Sequence, residues 1–288
     1  MEKKVIFITG TNSGFGYLTA KGAAERGHTV YAAMRNTNSK NAERAQELNS
    51  IDNINVVDLD VTNPEQAKKV LEEVIAKEGQ LDVLVNNAGY YGGGITETFS
   101  EQDVENMFDV NFKGPWRTIK SALPQMRQQG DGLIINISSS LGRFSAPFMT
   151  VYNSTKFALE GLTEGLHYEV RPLGVDAVMV QPGAFPTEIF GKTAYGSDQE
   201  VASGYGELAK VPEQIGEGMG QMFEQLKPNP QMVPDAIFNL IDTPKGQRPL
   251  RTVVDAVTGQ LVENANDKVK DNYNGFLKAF GMEEMLNN

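Results

Sequence analysis

The chain contains no cysteine in 288 residues, which excludes disulfides and thiolate metal sites and fits a reducing compartment. Histidine is almost as scarce, with His28 and His167 alone. The first precedes an expected strand and the second lies late in a helical segment, and neither pairs with a nucleophile or a second metal ligand. Both are read as structural, and no catalytic metal is expected. Basic charge is in deficit, 26 Lys and Arg against 37 Asp and Glu, for a net −11. That excludes the basic face a nucleic acid would need. No apolar run approaches the roughly 18 residues that span a bilayer. The opening "MEKKVIFITG" is basic and then apolar, as in a signal peptide, but its apolar run is short and ends at glycine. The expectation is a soluble, cytoplasmic protein whose partner is a small molecule.

What the sequence does have is a regular alternation. Short apolar or β-branched runs at 4–9, 29–34, 54–59, 81–86, 133–138 and 175–180 read as strands. Helical patterns fall between them at about 15–26, 39–49, 64–78, 101–128 and 153–171. Near-continuous apolar strands suit a parallel sheet buried on both faces. The repeated βα order predicts an α/β fold: a doubly wound parallel sheet of about seven strands with helices on both faces. After about 183 the rhythm breaks into a stretch rich in Gly, Pro, Gln and Met. Residues 184–230 are expected to form a helical flap over the substrate. "PDAIFNLID" then reads as a helix, "LRTVVD" as the seventh strand and 259–282 as a terminal helix. The whole of 1–288 is expected to be one domain, with 256–288 as a C-terminal extension.

The first strand runs into "TGTNSGFG", with Gly10, Gly14 and Gly16 directly before a helix. Glycine permits a sharp turn and close backbone approach to a pyrophosphate, whose charge the helix N-terminus favours. A tight turn without a ligand is the plainer alternative, but at the first strand of a repeated βα chain the nucleotide is favoured. The end of the second strand bears on which dinucleotide binds. Met34 stands where an NAD site usually offers a carboxylate, and Arg35 follows. A guanidinium matches phosphate geometry, so NADP(H) is preferred, with NAD(H) possible and a solvated surface arginine as the alternative.

"VYNSTKFAL" places Tyr152 and Lys156 four residues apart, a spacing that chance readily produces. Its setting gives it weight. "TGTNSGFG" (9–16), "LDVT" (59–62), "NNAG" (86–89), Asn111 in "VNFKG", "NISSSLG" (136–142), "YNSTK" (152–156) and "PGAFPT" (182–187) follow one another in order. Together they resemble the short-chain dehydrogenase/reductase family, over roughly residues 4–190 and more loosely 231–255. The resemblance implies a Rossmann-like fold and a catalytic set of Asn111, Ser139, Tyr152 and Lys156. Ser139 is chosen from the three consecutive serines because it lies thirteen residues before Tyr152, the family's usual gap. Gly10, Asn12, Ser13, Gly14, Phe15 and Gly16 would form the cofactor turn, and Arg35 would meet the 2′-phosphate. Asp60 and Val61 would hold adenine, and Asn87, Ala88 and Gly89 would lie under the ribose. Tyr152 and Lys156 would contact the nicotinamide ribose, and Pro182, Gly183, Phe185 and Thr187 the nicotinamide. Phe15 departs from the usual Ile or Leu of the turn.

Carbonyl reduction needs a hydride on carbon and a proton on oxygen. Tyr152 would give the proton, aided by the field of Lys156, since free tyrosine titrates near ~10. Ser139 would stabilise the oxyanion, and Asn111 would position a water relaying protons to Lys156. The expected activity is NADP(H)-preferring interconversion of a ketone or aldehyde with an alcohol. A catalytically silent nucleotide sensor or scaffold is the alternative, and a sugar-nucleotide epimerase ranks behind both. Phe144, Phe148, Met149, Phe185, Phe190, Tyr195, Met219, Met222 and Phe223 would either line a lipophilic pocket or be plain core. A homodimer or homotetramer through the segments 101–128 and 153–171 is a further expectation.

Overall fold

The computed structural model describes residues 2–286. Seven strands form one parallel sheet: β1 (Val5–Thr9), β2 (Thr29–Met34), β3 (Ile54–Asp58), β4 (Val83–Asn86), β5 (Gly132–Ile137), β6 (Val175–Pro182) and β7 (Arg251–Val254). Their order is β3-β2-β1-β4-β5-β6-β7, and every neighbouring pair runs parallel. Strand residues alternate between two cores, as the pleat requires. Ile6, Ile8 and Val30 face one side, where they pack with Ala20 of helix α1 (Gly14–Glu25), Leu48 of α2 (Ala42–Asn49) and Ile237 of α9 (Met232–Asp242). Val5, Phe7 and Tyr31 face the other. There they meet Leu71 of α3 (Pro64–Glu78), Ile119 of α5 (Gly114–Gln129) and Leu166 of α6 (Thr150–Val170).

Local chemistry sets the helix ends. In α3 the Asn63 side chain accepts from the N–H of Gln66, Pro64 opens the first turn, and Gly79 closes the helix at φ 75°. Each satisfies or removes an orphaned backbone group. A polar ladder crosses the sheet interior. Thr118 of α5 donates to Asn86, Asn86 to Asn136, and Asn136 to Thr163 of α6, all buried. It ties β4 and β5 to the two helices that flank them.

The segment expected as a single helix at 101–128 is interrupted. It comprises α4 (Glu101–Phe108), a wide π turn at Asp109–Lys113, and α5. The π turn contains Asn111, whose side chain is held from outside the helix; such turns often mark functional positions. Residues 184–230 form α7 (Gln199–Ser203), short 3-10 turns and α8 (Val211–Leu226), and Ala194 makes a parallel bridge to Gly92. Helix α10 (Gly259–Ala279) follows β7. No described helix is long and apolar enough to cross a membrane.

Strand order reverses between β1 and β4, so the loops after these strands part and leave a crevice at the carboxyl ends of the sheet. The turn after β1 and the "NNAG", "NISSSLG" and "PGAFPT" segments all leave strands at that edge.

Candidate active site

A groove of about 690 Å³ opens at the crevice. Gly10, Asn12, Ser13, Gly14, Phe15, Arg35, Asp60, Val61, Asn87, Ala88, Gly89 and Thr187 all line it. Gly16 does not; it is buried behind the turn. A Cβ on Gly16 would stand 2.4 Å from both the Asn87 side chain and the Gly10 carbonyl, and one on Gly10 (φ 71°) would stand 2.8 Å from Ala88 Cα. These two glycines are therefore required by the packing of the turn against the end of β4. The Asn87 side chain completes that contact by donating to the carbonyls of Thr9 and Gly10. Gly14 has φ 55° and more room, with Thr187 at 3.5 Å from a built Cβ.

The anion site at the α1 N-terminus has a resident test charge. The Gly14 N–H donates to the Glu188 carboxylate at 3.1 Å, and Lys192 reaches the Ser13 hydroxyl at 3.4 Å. A carboxylate held on this backbone N–H shows that the turn fits an anionic group, as a dinucleotide's pyrophosphate would require. Further along the groove, Asp60 accepts from the N–H and hydroxyl of Thr62, which orients its carboxylate. Arg35 lies exposed on the rim, and Lys40, from the same loop after β2, lines the groove with it. The sequence reading passed over Lys40, Glu188 and Lys192. A basic residue five positions beyond Arg35 was a readable signal; the return of Glu188 and Lys192 to the α1 turn was not.

The second cavity, about 280 Å³ and mostly apolar, contains Ser139, Tyr152, Lys156, Pro182, Gly183, Phe185 and Thr187. It shares Phe15, Asn87, Gly89, Tyr90, Thr187 and Ile189 with the groove, so the two spaces meet. The Ser139 hydroxyl accepts from the N–H of Leu141 at 3.1 Å and lies beside the Tyr152 phenol, whose proton affinity it lowers. Lys156 donates to the Ile137 carbonyl at 2.9 Å, and its Nζ lies 5.7 Å from the Tyr152 ring centre. Burial dominates both proton equilibria. It pushes the Tyr152 phenol up to about 12 against the lowering effect of Ser139. It pushes the Lys156 ammonium down to about 8, although Glu160 one turn away favours the charge. The expected depression of the phenol by Lys156 is thus corrected: burial raises the phenol, and the group acting against it is Ser139.

Asn111 is buried and lies in neither cavity. Its side chain accepts from the N–H of Tyr90 and donates to the Tyr90 carbonyl and to Thr155. Thr155 in turn donates to the Tyr152 carbonyl. The amide clamps the loop after β4 to helix α6, and with those bonds made its N–H groups are both committed. A water relay would therefore need a donor or acceptor other than these side-chain N–H groups.

Asp255, just after β7, was not anticipated. It accepts from Ser140 at 2.8 Å, from the N–H groups of Val257 and Thr258 and from the Thr258 hydroxyl. Burial raises its carboxyl, and these hydrogen bonds, those of Thr258 foremost, hold it below the usual range. A Cβ on Gly183 would fall 2.2 Å from that carboxylate. Gly183 thus admits Asp255 to the cavity wall. His28 and His167 are buried away from the site, His167 bonding the Ala177 carbonyl. Of the candidate pocket residues, Met149, Phe185, Phe190 and Met219 line this cavity, and Phe185 meets Phe15 edge-on at 5.6 Å. Tyr91, unforeseen, meets the Tyr152 ring edge-on with centroids 5.1 Å apart.

Known proteins resemble this chain in sequence and fold. The family described as short chain dehydrogenase matches residues 4–197. A 3-ketodihydrosphingosine reductase of Bacteroides thetaiotaomicron is 38% identical over 187 residues, 65% of this chain and 66% of that protein. A short-chain dehydrogenase structure from Streptomyces avermitilis superimposes with a TM-score of 0.78 at 32% identity, covering 96% of this chain and 97% of that one. The structure of ElxO with NADP bound gives 0.69 at 28% identity, covering 88% and 97%.

Proposed function

The chain belongs to the short-chain dehydrogenase family, and from that premise we propose that it is an NADP(H)-preferring oxidoreductase interconverting a ketone or aldehyde with the alcohol. The observation that carries this reading is the placement of Ser139, Tyr152 and Lys156 in an apolar cavity that joins a nucleotide-sized groove. The Bacteroides relative is named as a reductase of a keto compound, and ElxO binds NADP; both support the reading. When bound, the nicotinamide supplies the hydride for reduction and accepts it in oxidation.

The protein's own groups manage the proton. Tyr152 keeps its phenol protonated well above neutrality and so holds a proton ready for a carbonyl oxygen. Ser139, in the same cavity as that phenol, steadies the oxygen as charge develops on it. Lys156 holds the cofactor ribose and sets a positive field behind the phenol. Asn111 acts as a positioning residue, fixing the Tyr90 loop and helix α6 relative to one another. For alcohol oxidation Tyr152 takes the proton instead.

Arg35, assisted by Lys40, receives the 2′-phosphate, because a planar guanidinium and an ammonium on one rim suit a dianion. Turnover of a carbonyl panel with NADPH and NADH tests the reading. Arg35→Ala should raise KM for NADPH roughly tenfold to a hundredfold, the loss of a charged hydrogen bond, and leave NADH nearly unchanged. An equal effect on both cofactors refutes the phosphate assignment. The silent-sensor alternative gains nothing from a site whose serine and tyrosine a binding role does not need. A cytoplasmic enzyme, paired or tetrameric through exposed Trp116 of α5 and Phe157 of α6, completes the proposal.

A further inference from the structure

Beneath helix α8 lies a third cavity, about 220 Å³, which the proposed chemistry does not use. It shares Tyr91, Met149, Phe190 and Met219 with the cavity that holds Tyr152. A line of ring contacts leads from one to the other. Tyr152 meets Tyr91 at 5.1 Å, Tyr91 meets Phe190 at 5.4 Å, and Phe190 meets Phe223 of α8 at 5.4 Å. The far wall is α8 itself, from Pro212 to Phe223. Eleven residues of helix advance roughly 16 Å.

The character of α8 is the second observation. It carries Gly216, Gly218 and Gly220, although glycine is the poorest helix former after proline. Gly216 and Gly220 are one turn apart on the face that lines the cavity. Neither is required by close packing, since a Cβ on either would find no atom of the described residues within 4 Å. The two missing side chains therefore notch the helix and create the space. Ile215, Met219 and Phe223 border the notch with apolar surface, and methionine adapts to an elongated guest.

We propose that this notch is the subsite for an unbranched alkyl tail on the carbonyl substrate, making the enzyme selective for long-chain ketones. The inference rests on the proposed oxidoreductase reading and deepens it. The carbonyl sits at Tyr152, and the tail runs past Tyr91 and Phe190 to lie along Gly216 and Gly220. Adjacency to the reactive cavity, through four shared lining residues, identifies the occupant as part of the substrate.

The test is kcat/KM across methyl ketones from butanone to dodecanone, for the native protein, Gly216→Leu, Gly220→Leu and Gly218→Leu. Leucine favours the helix, so the variants keep α8. In the native protein kcat/KM should rise roughly tenfold or more along the series. In Gly216→Leu and Gly220→Leu the ratio of dodecanone to butanone should fall by about the same factor, and in Gly218→Leu, off the cavity, it should not. A native profile flat with chain length, or an unchanged ratio in both cavity variants, overturns the proposal. Calorimetric binding of decanol runs in parallel. If no ketone is turned over, the oxidoreductase reading fails, while decanol binding that weakens in Gly216→Leu still supports the subsite and its absence in the native protein removes it.

Discussion

Tyr152 and Lys156 sit one helical turn apart on α6, and burial moves their proton affinities in opposite directions. The phenol rises to about 12 and the ammonium falls to about 8, in each case because the charged form is the one desolvation disfavours. At neutral pH the pair is a neutral phenol beside an ammonium, the state suited to protonating a carbonyl. Lys156 is charged below about 8 and neutral above it, so its positive field is lost as pH rises through that value. Reductive kcat/KM should accordingly hold steady on the acid side and fall through about pH 8. Lys156→Arg should abolish this limb, because guanidinium does not titrate there. A flat native profile through that range contradicts the assignment. The family resemblance, through its thirteen-residue gap before Tyr152, singled out Ser139 from Ser138 and Ser140. The structure gives those serines different surroundings: Ser140 bonds Asp255, while the buried Ser138 hydroxyl has no partner among the described residues. The phenol's raised proton affinity was not legible, because burial belongs to the assembled site and not to the helix.

Among elements, the N-terminus of α1 shows the most consequential contact. The Glu188 carboxylate occupies the Gly14 N–H that a pyrophosphate oxygen needs. Glu188→Gln removes a negative charge that competes with and repels the phosphates. NADPH should then bind roughly two- to fivefold more tightly, the scale of a carboxylate at a helix N-terminus, as measured by titration of the cofactor. Unchanged or weaker binding would show that Glu188 does not stand in for the phosphate. The glycine turn was legible in the sequence, though for a partly different reason. Gly10 and Gly16 answer to Asn87 and Ala88, seventy residues on, before they answer to any ligand. The π turn at Asn111 was hidden because its cause is tertiary: the side chain is drawn to Tyr90 and Thr155 on other elements.

For the molecule as a whole, the strand–helix rhythm made the sheet readable, because a strand buried on both faces must be apolar nearly throughout. β2 begins and ends where the pattern placed it, β1, β3, β5 and β7 shift by one residue at one or both ends, and β4 and β6 by two residues at one end. Less was readable after 183, where contacts join parts of the chain far apart in sequence, such as Asp255 with Ser140 and Phe190 with Tyr91. What the fold achieves is convergence: β1, β4, β5 and β6 each end at one edge and deliver the glycine turn, Gly89, Ser139 and Thr187 to joined spaces. The central claim is that this convergence serves proton transfer from Tyr152 during NADPH-dependent carbonyl reduction. Its most direct test is the turnover of Tyr152→Phe on a ketone accepted by the native protein, with NADPH binding measured alongside. The account predicts a loss of about 10²- to 10⁴-fold in kcat with cofactor affinity nearly unchanged; turnover retained at the native rate would contradict it.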